Sequence, residues 1–205
     1  MADVDPPPGR ATRRRGHELE QAIYGAVLDE LLSVGYAQLT IDRVAQRART
    51  GRATLYRRWP SKRELVADAV ADALPPLEER PDTGDVREDL LVCFTRMHGL
   101  IEGVGRLAMQ AVAAELHSRT DDTLVDLVRE QVLGPRLQIV LDVLLRGAAR
   151  GQIRAEAAVP ILARTGPALL FQHLLMFGKP PPAAQVEDIV DRVVLPAAGF
   201  VPGSP

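Results

Sequence analysis

The sequence predicts an all-α protein of about nine helices, with a small N-terminal helical unit followed by a larger helical body. Apolar residues recur at three- or four-residue spacing along most of the chain, which is the period of amphipathic helices. No segment shows the period-two alternation of a half-buried strand. A linker containing Pro75, Pro76, Pro81 and Gly84 separates the two helical stretches.

The helices of the N-terminal unit have recognisable ends. Apolar side chains at helical spacing predict a first helix over about 17–34, and Gly35 is placed to end it because glycine adopts the left-handed conformation cheaply. Thr40 can cap a second, short helix. Ser61 can cap a fourth helix, with Glu64 at the capping-box position.

The chain must turn between the second helix and a third helix over about 52–58, and the sequence offers two ways to do so. In one, Arg49 takes the left-handed conformation, at a cost on the order of 1 kcal/mol. In the other, Gly51 takes the strained position and Thr50 caps the third helix. Both remain open from the sequence.

Beyond the linker the period stays helical. Gly134-Pro135 should kink or divide the third of the five further helices, because proline lacks the N–H that a helix interior needs. These helices are predicted at about 86–102, 105–118, 121–150, 157–178 and 184–198. The predicted organisation is a disordered basic arm over 1–15, a helical unit over 16–74 and a helical body over 75–205.

Charge is concentrated in one short segment. The net charge is −2, yet residues 40–63 sum to +7 and the rest of the chain to −9. Such a distribution indicates a focused anionic partner. The single cysteine, Cys93, excludes an internal disulfide framework and a cysteine-based zinc site. The N-terminus does not resemble a secretory signal, and no apolar run reaches the roughly 20 residues of a membrane span, so a cytoplasmic location is expected.

Two short helices joined by a tight turn, the second of them basic, describe a helix-turn-helix. The second helix is narrow enough to enter the major groove, where base edges present a readable hydrogen-bond pattern. Arginines beside the groove neutralise phosphates and make the affinity salt-dependent. The alternative is a basic corner that serves only packing, but solvated helix faces usually mix charge signs and this one does not.

The segment Thr40–Leu65, TIDRVAQRARTGRATLYRRWPSKREL, resembles the DNA-binding signature of the TetR family of bacterial transcriptional regulators. The matching core is Thr54-Leu55-Tyr56 followed by Trp59-Pro60-Ser61-Lys62, and the resemblance covers about 17–74. It departs from the family pattern at the turn, where the family commonly has glycine at the position of Arg49.

The resemblance implies a homodimer that binds a palindromic operator in double-stranded DNA. The third helix would face the groove, and the helix ends around it would hold phosphates. Which arginine reads a base stays open, as does whether the arm with Arg13, Arg14 and Arg15 contacts DNA. The expected DNA-binding residues are Thr40, Arg43, Thr50, Gly51, Arg52, Ala53, Thr54, Tyr56, Arg57, Arg58 and Lys62.

The last two helices are predicted to form the dimer interface. The segment 165–178 carries no formal charge, so its helix should be buried on more than one side. The alternative is that both helices only complete the core of one chain. The residues assigned to the interface are Leu170, Leu174, Val186, Ile189, Val190, Val193 and Val194.

The helical body is expected to hold an unknown small-molecule effector. Methionine suits irregular apolar pockets, and polar-tipped side chains lie among the methionines. The candidate ligand-binding residues are Phe94, Met97, His98, Met109, Phe171, Gln172, His173 and Met176. Any one of them could equally be plain core.

Enzyme interpretations are weaker. Gly103–Ala108 fits a dinucleotide fingerprint, but a helix precedes it where that motif needs a strand. No metal or cofactor is predicted. The favoured function is therefore a transcriptional regulator, a repressor released by its effector. The alternatives are an architectural DNA-binding protein without a ligand, or a helical small-molecule carrier or enzyme.

Overall fold

The structure, a computed structural model, describes residues 16–77, 79–102 and 123–200. Every regular element within these ranges is helical, which confirms the all-α prediction. None of the described helices combines the length and hydropathy needed to cross a bilayer. The N-terminal unit consists of α1 (His17–Gln38), α2 (Ile41–Arg47), α3 (Arg52–Arg58) and α4 (Lys62–Ala73).

The predicted helix caps of this unit are confirmed. Thr40 Oγ1 accepts a hydrogen bond from the backbone N–H of Arg43 at 3.3 Å, and Ser61 Oγ accepts one from that of Glu64 at 3.2 Å. Gly35 has a φ of 78° and interrupts α1, so the last turn up to Gln38 is separate from the main helix. These local signals set where α2 and α4 begin.

The turn between α2 and α3 is made by Arg49. Its φ is 54°, whereas Gly51 has a φ of −79° and stands before α3 with no side chain to cap it. The alternative in which Gly51 is left-handed and Thr50 caps α3 is therefore wrong. The backbone N–H of Thr50 instead donates to the carbonyl of Ala45 at 3.0 Å, which closes the turn onto α2.

The core of the N-terminal unit extends into the body of the molecule. Leu55 of α3 and Leu65 of α4 are fully buried in it. Leu100, Leu127 and Val132, which come from beyond the linker, belong to the same apolar cluster. The helix-turn-helix unit therefore packs directly on the body. A movement of helices in the body can change the position of the helices in this unit.

The body contains helices that follow the predicted order. A helix predicted at 105–118 lies outside the described residues, as do Met109 and the segment 103–108. The described elements are α5 (Val86–Glu102), α6 (Thr123–Val128), a π-helical turn (Arg129–Leu133), α7 (Gly134–Ala149), α8 (Pro160–Phe177), α9 (Ala184–Ile189), a second π-helical turn (Val190–Val194) and α10 (Leu195–Ala198).

The predicted interruption at Gly134-Pro135 takes the form of the first π turn. Proline cannot donate a backbone hydrogen bond, and the widened turn Arg129–Leu133 comes directly before it. A side chain at position 134 would lie 3.1 Å from the carbonyl of Arg129, so glycine suits this tight site. The helix axis continues from α6 into α7 instead of breaking.

Arginines of α7, and Arg150 directly after it, hold the linker against the body. Arg146 donates to the carbonyl of Pro81 at 2.6 Å, and Arg150 pairs with Asp82. Arg136 donates to the carbonyl of Pro75 at 3.1 Å. The linker that the composition predicts is therefore ordered by side chains from a distant helix.

Most of the residues assigned to a dimer interface lie in the core of the chain itself. Six of them are buried in the same apolar cluster as residues of α5 and α7, and their part in a dimer stays a prediction. The apolar stripe was identified correctly, but it is the inner face of its helices. The six are Leu170, Leu174, Val186, Ile189, Val190 and Val194, while Val193 is exposed.

Candidate nucleic-acid interface

α3 presents a polar and positively charged outer face. Leu55 anchors the helix in the core, and the side chains on the other side point to solvent. The guanidinium of Arg52 lies 5.2 Å from the centre of the Tyr56 ring, and its Nε pairs with Asp42 of α2 at 2.9 Å. The exposed residues of this helix are Arg52, Ala53, Tyr56, Arg57 and Arg58, and Thr54 is half-buried.

Arg43 and Arg47 of α2 are held by a buried acid. Glu30 of α1 is 2% exposed, and its carboxylate accepts from Arg43 Nε at 2.7 Å and from Arg47 Nε at 3.0 Å. Burial alone would raise the pKa of the Glu30 carboxyl, but the hydrogen bonds from both arginines outweigh it and hold that pKa below its ordinary value. This network fixes α2 on α1.

A second network fixes the end of α3. Arg58 pairs with Glu20 of α1 and lies over the ring of Trp59. Trp59 is buried, and its indole N–H donates to Asp68 of α4 at 2.8 Å. Burial and a hydrogen bond to Glu20 raise the pKa of the Tyr24 hydroxyl, whose ring packs edge-on against Trp59. The contacts of Tyr24 and Trp59 therefore fix the orientation of α3 relative to α1 and α4.

Lys62 also has a partner within the unit. Its Nζ donates to the carbonyl of Tyr36 at 2.9 Å and lies 4.2 Å from the centre of that ring. It is half-buried at the start of α4. The resemblance implied that Lys62 holds a phosphate, and here it joins α4 to the end of α1.

The predicted DNA-binding cations thus fall into two groups. Arg43, Arg52, Arg58 and Lys62 make contacts within the fold, while Arg57 is exposed and has no ion-pair partner among the described residues. Arg49 is also exposed and was not among the predicted contacts. Arg49 makes the turn in the left-handed conformation and so places a cation there. The family pattern did not suggest this, because it commonly has glycine at this position. Direct DNA contact by any of them stays a prediction.

The predicted ligand residues that the structure describes lie on different sides of their helices. Phe94 is fully buried, whereas Gln172 and Met176 are exposed on α8, and a ligand contact by any of the three stays a prediction. Helical periodicity explains this, because residues chosen by type fall on all sides of their helices. His98 is buried with its Nε2 2.7 Å from the carbonyl of Pro181, and Met97 lines a cleft beside the linker.

The two remaining candidates lie on α8. Phe171 is half-buried and packs against the core of the body. The ring of His173 lies 4.6 Å from that of Phe177 near the end of the helix. Neither lines the cleft that Met97 borders, and their role stays a prediction.

The described residues offer little for catalysis. They include no group of three or more histidine, cysteine, aspartate or glutamate side chains placed to hold a metal ion. Burial raises the pKa of the Cys93 thiol to about 12, so this thiol stays protonated and is a poor nucleophile. The charged face of α3 is the candidate site of this fold.

Two family descriptions match the chain. Residues 26–69 match the bacterial regulatory proteins of the tetR family, and residues 80–193 match the tetracyclin repressor-like C-terminal domain. The chain belongs to the TetR family. This confirms the resemblance, and it makes the protein a DNA-binding transcriptional regulator.

Relatives of this TetR family member span nearly its whole length. An uncharacterized HTH-type transcriptional regulator of Mycobacterium tuberculosis is 33% identical over 87% of each chain. A DNA-binding transcriptional repressor, TetR, of Mycobacteroides abscessus is 29% identical over 88% of this chain and 94% of its own. The crystal structure of the TetR family transcription regulator SCO0332 is 31% identical, with a TM-score of 0.58 over 91% of this chain and all of that one.

Proposed function

We propose that this regulator is a homodimeric repressor that binds a palindromic operator through α3 and leaves it when a small molecule binds the body. The proposal rests on the exposed cationic face of α3. Two ion-pair networks, around Glu30 and around Glu20, hold α2 and α3 on α1. The mycobacterial relative described as a repressor supports the sign of regulation. The bacterial chromosome is its target, so the cytoplasm is its proposed location.

The fold gives the DNA-binding surface the rigidity that sequence recognition needs. Readout of base edges depends on side chains held within hydrogen-bond reach. Glu30 joins α2 to α1, and Trp59 joins the end of α3 to α4. Arg57 and Arg49 would then approach bases or phosphates from a fixed frame, with Arg52 at the helix start.

The dimer is proposed to form through the exposed apolar side chains of α8. Ile161, Leu175, Met176 and Phe177 are exposed apolar side chains on this one helix, and Phe177 is 62% exposed. Val193 adds an exposed apolar side chain from the second π turn. Burying such a surface against a second copy removes apolar area from water, which is the main driving force of stable association.

The proposed release by an effector requires a connection between the body and the DNA-binding unit. The shared core and the ion pair between Arg63 of α4 and Glu130 of the first π turn, at 3.3 Å, supply one. A ligand shifts this equilibrium only if it prefers one arrangement over the other. We also propose that the DNA-binding unit ends at residue 74 and that the effector-binding body begins at residue 75.

Footprinting on the DNA that flanks the gene tests the proposed function. We expect the purified protein to protect one short palindrome whose half-sites lie about 34 Å apart, one turn of the duplex. An architectural DNA-binding protein would instead cover DNA without a preferred site. A helical carrier or enzyme would leave the DNA unprotected at any ionic strength, and either outcome would reject the operator-binding repressor.

A further inference from the structure

A cleft lies where the linker after α4 meets α5 and α7. The cleft is half open, and the empty space within it and in the solvent at its mouth amounts to about 450 Å³. Most of its wall is apolar, which suits the hydrocarbon part of a small molecule. The apolar wall consists of Pro75, Pro76, Leu77, Met97 and Ile139.

Two arginines form the polar wall of this cleft. Arg136 donates to the carbonyl of Val132 at 3.0 Å and to that of Pro75 at 3.1 Å. Arg96 lies on the other side and donates to the carbonyl of Glu79 at 2.7 Å. A guanidinium has five N–H donors, so the two carbonyls leave donors of Arg136 available.

Arg136 differs from the two other arginines that face the linker, Arg146 of α7 and Arg150 directly after that helix. Arg146 lies 3.7 Å from a carboxylate oxygen of Asp82, and Arg150 pairs with Asp82 and lies 3.9 Å from Asp89. No carboxylate partner of Arg136 is found in the part of the chain that the structure describes. Among these residues, Arg136 meets the linker through the carbonyl oxygen of Pro75 and not through a carboxylate.

The charge of Arg136 is also partly withdrawn from water. Burial lowers the pKa of its guanidinium, which records the cost of desolvating the cation. Arg136 is only half-buried, yet even a partly desolvated charge gains from an opposite charge nearby. A cation at the wall of an apolar cleft, with no acid partner among the residues that the structure describes, has the electrostatics of a site for an external anion.

We infer that this cleft binds the effector, and that the effector is a small amphipathic carboxylate whose acid group pairs with Arg136 while its apolar part packs on Met97 and Ile139. The planar guanidinium matches a carboxylate through two parallel hydrogen bonds. This inference rests on the proposed function for the consequence of binding, but not for binding itself.

The position of the cleft explains how an occupant acts on DNA binding. Pro75, Pro76 and Leu77 follow α4 directly, and α4 carries Ser61 and Lys62 at the end that adjoins α3. Arg136 already bridges this linker to α7. A carboxylate that draws Arg136 away from the carbonyl of Pro75 loosens the restraint at the base of α4.

Calorimetric titration of the full-length protein tests the inference. The probes are linear carboxylates of four to ten carbons, each with the primary amide of the same length. We expect at least one acid to bind and its amide to bind about 10- to 100-fold more weakly, because the amide lacks the charge. Equal binding of acid and amide, or no binding by any acid up to its solubility limit, would overturn the site.

Variants separate this site from the rest of the protein. Arg136→Met should weaken acid binding by about 10- to 100-fold, and Arg136→Lys should retain part of it because the charge remains. Arg129→Met, which removes an exposed arginine near the same helix, should bind the acid as the original protein does. If Arg136→Met does not fold, Arg136→Lys and the comparison of acid with amide still test the site. Unchanged acid binding in both Arg136 variants contradicts the assignment.

The same variants distinguish failure of this inference from failure of the proposed function. Without added acid, Arg136→Lys should protect the same operator as the original protein. If the protein binds no operator, the repressor proposal fails while acid binding can still stand. If it binds the operator but no acid, the carboxylate site alone is rejected.

Discussion

Glu30 shows how a single residue sets the geometry of the DNA-binding unit. Its carboxylate is buried between α1 and α2 and accepts hydrogen bonds from Arg43 and Arg47. From the charge pattern alone, both arginines would be expected to face solvent or DNA. A buried acid can be accommodated only when its charge is compensated in this way. The network therefore commits Arg43 and Arg47 to the fold.

Glu30→Gln is expected to lower the free energy of unfolding by about 1.5–3 kcal/mol at pH 7, because hydrogen bonds to a charged group are lost. Folding lowers the pKa of Glu30 below 4.5, so its contribution is complete above that pH and disappears as pH falls through the lower pKa of the folded state. Urea unfolding at pH 7 and pH 4 measures both effects, and the difference between the two proteins should shrink at pH 4.

Asp29→Asn is the control for this prediction. Asp29 neighbours Glu30 but is exposed, and it reaches Arg47 only at 3.5 Å. Exposed pairs contribute little, so the change should stay within about 0.5 kcal/mol. A similar loss in both variants would show that burial of Glu30 is not what matters.

Single residues also mark where reasoning from the sequence reached its limit. Thr40 and Ser61 were identified as caps because capping depends on neighbours three residues away. Whether Arg49 or Gly51 makes the turn could not be decided, since both conformations satisfy the local sequence. The contact of Trp59 with Asp68, nine residues on, decides the orientation of that ring and has no local signal.

At the scale of elements, α5 and α8 are joined by an unusually close approach. A Cβ atom placed on Gly166 of α8 would lie 2.1 Å from Cε2 of Phe94, whose ring is fully buried. Interatomic distances this short cannot occur without movement of the ring or the helix. Glycine is therefore required at this crossing for space and not for backbone freedom.

Gly166→Ala is expected to destabilise the protein by about 1–3 kcal/mol through overpacking, although alanine favours helices. The matched control is Gly99→Ala in α5, where a Cβ meets nothing within 4 Å. That change should stabilise the protein by up to about 1 kcal/mol. Thermal unfolding of both variants checks the prediction, and a gain in stability at Gly166 would refute the packing described.

The helices of the body show why periodicity predicts elements better than surfaces. The stripe of valines in α9 and the second π turn was recognised from spacing, yet the same stripe can face the chain's own core or a partner. Tertiary packing decides between them, and Val190 and Val194 turn inward. Met176 and Gln172 were chosen by chemical type, and their outward direction depends on how α8 is rotated in the fold.

At the scale of the whole molecule, the exposed face of α8 predicts the oligomeric state. Replacing both Met176 and Phe177 with Glu should convert the proposed dimer into a monomer of 22.3 kDa, because two charges would have to be buried in each copy of the interface. Light scattering measures the mass. Leu32→Glu, at an exposed apolar residue of α1, should leave the dimer intact.

A dimeric mass for the Met176→Glu, Phe177→Glu variant would show that another surface joins the copies. A monomeric mass for the original protein would reject the dimer itself. The operator geometry depends on this result, because two half-sites one turn apart require two copies of α3 at a fixed separation.

Operator affinity of Arg57→Ala tests the central claim, that the exposed face of α3 reads DNA. Arg57 is exposed and contacts no acid among the described residues, so its removal should leave the fold intact and weaken operator binding by about 1–3 kcal/mol. Arg129→Ala removes the same charge from the body and should bind the operator as the original protein does. Equal operator affinities for Arg57→Ala, Arg129→Ala and the original protein, measured at one salt concentration, would contradict the account.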